Sequence, residues 1–433
     1  MKAVFLTAGA AGMYCGSCMH DNAIAKALRA DGVDCLLQPV YTPIRTDEVS
    51  IASDRLFFGG IHIYLLQQMP WLHHVPLPIR RLLDGKPLIE LATRRAASTD
   101  AEQLGALAVS MLQGAEGRQA DEVERLVEWL CEDVRPDAIL FTNLLIGGCL
   151  PPLRERLPDS RLVVLLQGDD IFLDHLPASR RSEAIELCRK LVPSVDRFVV
   201  NSQFYGDKMG SLLSIPSEKL VTTPLSIDIR PYHDAATGSE AGDRDDGFRI
   251  GYMARIAPEK GLHHLVESFI QLAGQPQHQD LSLHAAGWLG EANRGYLSDL
   301  EERIAKAGLS DRFVYHGSPS LEEKVRLLRS FDVMSVPTEY QDPKGLFVLE
   351  ALALGVPVIQ PEHGAFPELI ASTGGGLLVR PGDAAHLGEA INQLKADPAL
   401  RVRLGQSGAQ RVAERHTIEQ AAKAMKQLCF EDP

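Results

Sequence analysis

No run of apolar residues in this chain is long enough to cross a bilayer, so a membrane-spanning helix is not expected. Cysteine is scarce: the 433 residues include 7, an odd number, scattered along the sequence. That usage excludes a disulfide framework and reads as free thiols in a reducing, cytoplasmic setting. Positive charge is in deficit, with 44 Lys+Arg against 57 Asp+Glu and a formal net charge of −13. So acidic a body argues against a nucleic-acid partner held mainly through its phosphates. Two nucleotide signatures are also missing. There is no G-x-x-x-x-G-K-S/T loop, and the first glycine loop lacks G-x-G-x-x-G spacing. The second strand ends Gln38-Pro39-Val40, without the acidic residue that a Rossmann NAD site needs. Metal ligands are sparse in the pattern too. Cys15 and Cys18 form a C-x-x-C with no second pair, His20 does not complete a set, and Asp169-Asp170 are adjacent rather than spaced. No cofactor and no metal are expected.

What remains is 45% hydrophobic and 23% charged, the composition of a globular protein long enough for two domains. The N-terminus has one positive charge followed by small and apolar residues, but its apolar core is only Ala3 to Leu6. A secretory segment needs about 7–15 such residues, so this reads as a buried first strand ending in a glycine turn.

The pattern is strand, loop, helix, repeated. Short apolar runs at Ala3–Thr7, Cys35–Val40, Ala138–Thr142, Leu162–Leu166 and Arg197–Val200 alternate with amphipathic stretches. Residues 43–120 are less regular and read as an insertion. Pro231–Gly247 is polar and acidic, and reads as a linker. The alternation then restarts with Phe248–Tyr252, Leu281–Ala285, Phe313–Tyr315, Val333–Val336 and Val356–Ile359. The class is α/β, with two doubly wound parallel sheets. The expected domains are 1–230 and 248–410, joined by a linker at 231–247. A final helix at 411–433 is expected to pack back on the first domain.

Ligands in such sheets sit beyond the carboxyl ends of the strands, so chemistry is expected on the loops there. The loop Gly9 to Ser17 leaves a strand and enters a helix, where backbone N–H groups would favour an anion or a sugar hydroxyl. On the first loop of the second domain, Arg255 and Lys260 could clamp a diphosphate, Arg as a fork and Lys as a point charge. The segment Pro337 to Ile359 reads strand, loop, glycine-initiated helix, strand. Gly345 and Leu346 would present amides at a helix N-terminus. Glu350 lies on an otherwise apolar helix and needs a partner, either a ribose diol or a buried cation.

These residues resemble a known family. R-x4-K-G followed by G-x-x-x-L-E-A-x-A-x-G-x-P-V-I is similar to the retaining GT-B glycosyltransferases of glycosyltransferase family 4. Gly364 to Glu368 resembles that family's G-G-x-P-E, and Gly375 to Val379 its G-x-L-V. In the first half, Gly16 with His20, Asn201-Ser202 and Pro224 to Asp228 resemble family elements more loosely.

The resemblance implies a GT-B fold, two Rossmann-like domains facing across a deep cleft. It implies transfer of a sugar from a nucleotide-sugar donor to an acceptor hydroxyl, with retention at the anomeric carbon. It implies that Arg255 and Lys260 bind the donor diphosphate, Gly345 and Leu346 bind phosphate through N–H, and Glu350 accepts from ribose. Gly16 would lie near the diphosphate, and Asp342 would hold the donor sugar where the family has Glu, with Glu339 able to reach in instead. A family histidine is replaced by Gln167, which can orient a hydroxyl but cannot take a proton. That substitution, together with Asp342, keeps open a nucleotide-sugar-binding protein without transferase activity; a separate alternative is a nucleotide-sugar epimerase on the same fold. The basic, apolar stretch at residues 79–95 could contact a membrane surface peripherally or bind an acceptor.

Overall fold

The computed structural model describes residues 1–9, 16–42, 44, 50–53, 57, 101–237 and 247–431. The chain divides into two compact units, Met1–Thr223 with Ala421–Pro433, and Pro224–Gln420. The C-x-x-C residue Cys15 and the whole stretch 79–95 lie outside the described residues.

Each unit is built on a six-stranded parallel sheet. The first runs β2(Asp34–Pro39)-β1(Lys2–Thr7)-β3(Ala138–Phe141)-β4(Arg161–Leu165)-β5(Arg197–Val200)-β6(Leu220–Thr222). Residues Ala3 to Leu6 are at most 1% exposed, because β1 is flanked by strands on both sides and covered on both faces. That burial explains the unbroken apolar run at the N-terminus. The second sheet runs β12(Gly376–Val379)-β11(Val358–Pro361)-β10(Val333–Ser335)-β7(Phe248–Met253)-β8(Leu281–Ala286)-β9(Phe313–Tyr315). In each sheet the winding reverses once, between β1 and β3 and between β7 and β10. These are the topological switch points, where strand-end loops diverge and leave room for a ligand.

The helix Leu262–Ala273 shows how a face is buried here. Leu262, Leu265, Val266, Phe269 and Leu272 recur at helical spacing and all pack into the second unit's core. Among the described residues no helix is long and apolar enough to cross a membrane. The six described cysteines are free thiols.

The boundary differs from the expected one. The chain passes between units at Thr223/Pro224 and again at Gln420/Ala421. Arg230–Thr237 is a helix of the second unit rather than the start of a linker. Asp228 accepts from the Arg230 amide, Pro231 sits in the first turn, and Tyr232 is buried against Leu225 and Ile227. An acidic cap followed by proline starts helices, and here it outweighs the polar composition of residues 233–237. The strand β6 was not anticipated either, being only three residues long and half-buried.

Candidate functional site

At the second unit's switch point, the chain leaves β7 through residues 254–261 and β10 through residues 336–345. Gly261 joins the two loops. Its φ is +73°, and a Cβ there would lie 1.7 Å from the Pro337 carbonyl oxygen, so no other residue fits. The Glu339 amide then donates to the Glu259 carbonyl at 3.0 Å. This close approach sets Lys260, at the end of the turn Pro258–Lys260, beside Asp342.

Lys260 Nζ donates to Asp342 Oδ2 at 2.9 Å and to the Tyr340 hydroxyl. The Tyr340 hydroxyl in turn donates to Asp342 Oδ2 at 3.0 Å. The ammonium also lies 4.9 Å from the centroid of the Tyr340 ring and 5.6 Å from that of Phe347. Lys260 and Asp342 are only 15% and 7% exposed, so the charges meet largely out of water. Burial alone would raise the Asp342 carboxyl. The Lys260 charge and the bonds from Lys260, the Lys344 amide and Tyr340 outweigh it and hold the carboxyl below its ordinary range.

The helix Leu346–Ala353 begins immediately beyond. Gly345 caps it in the left-handed region, φ +84°, with no side-chain cap. Among the described residues the amides of Gly345 and Leu346 have no hydrogen-bond acceptor. They are the orphan donors of a helix N-terminus, suited to phosphate oxygens. In the helix's second turn, Glu350 Oε1 accepts from Lys324 Nζ at 2.9 Å, and the pair is 14% and 11% exposed. Of the two partners open to Glu350 from sequence, the cation is present. It leaves Glu350 an acceptor held in place.

Arg255 and Glu339 stand differently. Arg255 is half-exposed and pairs with Glu259, four residues on in the same loop, not with the Lys260 cluster. Glu339 turns its carboxylate to His263 and His264 rather than toward Asp342.

In the first unit, Gly16 opens the helix Gly16–Ala30 at the β1/β3 switch point. That helix buries Asp21 completely. Its Oδ1 accepts from Gln167 Nε2 at 2.9 Å, and its Oδ2 from Thr7 Oγ1 at 3.0 Å and from Thr142 Oγ1. Gln167 Nε2 also reaches the Thr142 carbonyl at 3.2 Å. Both partners are acceptors, so the amide nitrogen faces Asp21 and the carbonyl oxygen lies on the opposite side of the group. Gln167 is therefore fixed in orientation. Nearby, burial pushes the Asp169 carboxyl up to about 6, although it accepts from the Leu144 and Gln167 amides.

Lys260, Asp342, Gly345 and Leu346, expected in one region from their sequence, lie together in the structure. Tyr340 and the histidine pair join these groups, Lys324 joins Glu350 and Asp21 joins Gln167, none of them expected from the sequence. Asp21 and Asn22 on the buried face of an amphipathic helix were a legible signal, since buried polar groups require partners.

Residues 239–411 match the family described as Glycosyl transferases group 1. The chain is 32% identical over 223 residues to the lipopolysaccharide core biosynthesis mannosyltransferase LpsB of Rhizobium meliloti, covering 50% of this chain and 62% of that one. It is 27% identical over 239 residues to the mannosyltransferase LpcC of Rhizobium leguminosarum, covering 54% of this chain and 64% of that one. The chain thus spans a little over six tenths of these relatives' length. A crystal structure of HepE from Anabaena in complex with UDP is similar over 99% of both chains, with a TM-score of 0.69 and 18% identity. The fold is GT-B, two Rossmann-like domains each carrying a six-stranded parallel sheet.

Proposed function

We infer that this chain is a glycosyltransferase that moves a sugar from a nucleoside-diphosphate donor to an acceptor hydroxyl, with retention at the anomeric carbon. The observation that carries this is the Lys260–Asp342 pair beside the open amides of Gly345 and Leu346. The named relatives and the UDP-bound neighbour support it.

The donor diphosphate takes the place of Asp342 on Lys260 and receives the helix amides and the Arg255 fork. As the bond from the anomeric carbon to phosphate breaks, its electron pair passes to the phosphate oxygen. The growing charge meets cations and N–H dipoles already in position. The acceptor oxygen bonds to the same face, and its proton goes to the departing phosphate. Asp342, released from Lys260, accepts from sugar hydroxyls, and Glu350 accepts from the ribose. In the first unit, Gln167 has the fixed amide to orient a hydroxyl. Because lysine, arginine and helix amides neutralise the phosphate, this chemistry needs no divalent ion.

The test is donor binding and turnover with UDP-, GDP- and ADP-sugars in excess EDTA. At a hundred times Kd a bound donor stabilises the fold by about 2.7 kcal/mol, which a thermal shift reads. One donor class should bind and be consumed. Abolition of binding by the chelator would defeat the metal-free reading. A donor bound but never consumed with any acceptor would favour the binding-protein reading, which Gln167 in place of the family's histidine motivates.

Gln167→Ala is expected to lower turnover while leaving nucleoside diphosphate affinity nearly unchanged. Calorimetry and initial rates on the folded variant decide it. A large loss of diphosphate affinity would remove Gln167 from the orienting role.

A further inference from the structure

Two adjacent histidines open the helix Leu262–Ala273, and both direct Nε2 at one carboxylate oxygen. His264 Nε2 lies 2.7 Å and His263 Nε2 2.9 Å from Glu339 Oε1. The ligand-type atoms of the three residues all fall within 4.8 Å of one another. The backbone has already fixed this geometry. Gly261 in its left-handed conformation abuts the Pro337 carbonyl on one side of the cluster, and the Glu339 amide bonds to the Glu259 carbonyl on the other.

Behind the cluster stands an outer partner. The Tyr296 hydroxyl accepts from the His263 backbone amide at 3.0 Å and lies 2.9 Å from His263 Nδ1. In the tautomer that carries its proton on Nδ1, His263 donates to this same oxygen. The lone pair of Nε2 is then presented toward Glu339. A hydrogen bond of that kind on the rear nitrogen accompanies most metal-ligating imidazoles, fixing both tautomer and ring plane.

The donor set is two imidazole nitrogens and a carboxylate oxygen, the chemistry of borderline transition metals rather than of Mg²⁺. Bond lengths of about 2.0–2.2 Å in a tetrahedron place donors roughly 3.3 Å apart. The two nitrogen–oxygen separations must widen by about half an ångström, which rotation of a half-exposed glutamate permits, at 48% side-chain exposure. Three protein ligands leave the fourth position to water.

The geometry points to a transition-metal site at His263, His264 and Glu339, taking Zn²⁺, that fastens the loop after β10 to the first turn of the helix Leu262–Ala273. None of these three ligands has a role in the proposed transfer chemistry.

Zn²⁺ binding to the full chain, stripped of metal, tests this by calorimetry and by thermal shift. One site per chain and a raised Tm are expected, with no effect of Mg²⁺. Co²⁺ in its place should give the visible absorption of a tetrahedral site. His264→Ala and Glu339→Gln should each weaken Zn²⁺ binding at least about tenfold, and Tyr296→Phe about tenfold through the lost outer bond. His284→Ala, which breaks the other close histidine pair (Nδ1 to His316 Nε2, 3.0 Å), should change nothing. Absent binding, binding that survives both His264→Ala and Glu339→Gln, or binding lost in His284→Ala would overturn the assignment. None of these readouts involves a sugar donor, so the result is independent of the proposed activity.

Discussion

Lys260→Ala is expected to weaken nucleoside diphosphate binding by roughly ten- to a hundredfold, the worth of one charge-assisted contact of about 1.5–3 kcal/mol. The fall in kcat/KM should be larger still. Charge on the phosphate grows as the glycosidic bond breaks, and a fixed ammonium is worth more to that state than to the bound donor. The substitution also strips Asp342 of its cation, leaving a buried carboxylate on the Tyr340 hydroxyl and the Lys344 amide. Folding must therefore be confirmed by circular dichroism before rates are compared. Arg255→Ala supplies a control without that complication, because Arg255 is half-exposed and its partner Glu259 stays solvated. It should lower affinity and rate in the same sense. The double variant should lose less than the sum, both cations serving one diphosphate. Near-wild-type rates in Lys260→Ala would remove the clamp from the site.

Glu350→Ala carries the second large effect, on stability. It leaves the Lys324 ammonium in a setting where only 11% of the side chain is exposed. Removing one member of a buried ion pair costs up to about 3–5 kcal/mol, because the surviving charge loses a partner in a largely dry setting. The urea midpoint should fall accordingly. Replacing both, as Lys324→Met with Glu350→Leu, should recover most of the loss, since apolar residues of similar volume often substitute for such a pair. Donor affinity should stay low in that double variant if Glu350 accepts from the ribose. Restored affinity would show that Glu350 only holds Lys324. An unchanged midpoint in the single variant would show that the pair does not stabilise the fold.

The two sheets were legible because central parallel strands are buried on both faces and leave unbroken apolar runs. Ala3 to Leu6 and Leu162 to Leu165 are examples. β6 left no such run, its three residues being half-buried or exposed at the sheet edge. The helix Arg230–Thr237 was hidden by composition, although Asp228 and Pro231 mark its start.

The site was legible where the backbone itself offers the hydrogen-bond donors. Glycine at a strand–helix junction announces a turn and a row of open amides, so Gly345 and Leu346 could be read directly. The side-chain partners were not, because topology sets them and local spacing does not. Gln167 meets Asp21 across 146 residues, and Glu350 meets Lys324 across 26. The two histidines next to Lys260 carry a signal in their adjacency, but only the return of Glu339 to the same turn gives it meaning.

The double passage of the chain between units bears on how the protein is made. The helix Ile418–Phe430 ends in the first unit, where Leu428 and Cys429 are buried and Lys426 bonds to Asp31 at 2.7 Å. During translation the first unit's sheet emerges early, but this helix arrives only after the whole of Pro224–Gln420 has been synthesised. At roughly 5–20 residues per second the wait is about ten to forty seconds. Through that interval the nascent first unit exposes the apolar seat that Leu428 and Cys429 will later fill. The second unit, by contrast, is contiguous in sequence and can close as it leaves the ribosome. Chains stalled or clipped before Ala421 should thus be ready clients for chaperones, with the defect lodged in the half of the molecule that was synthesised first.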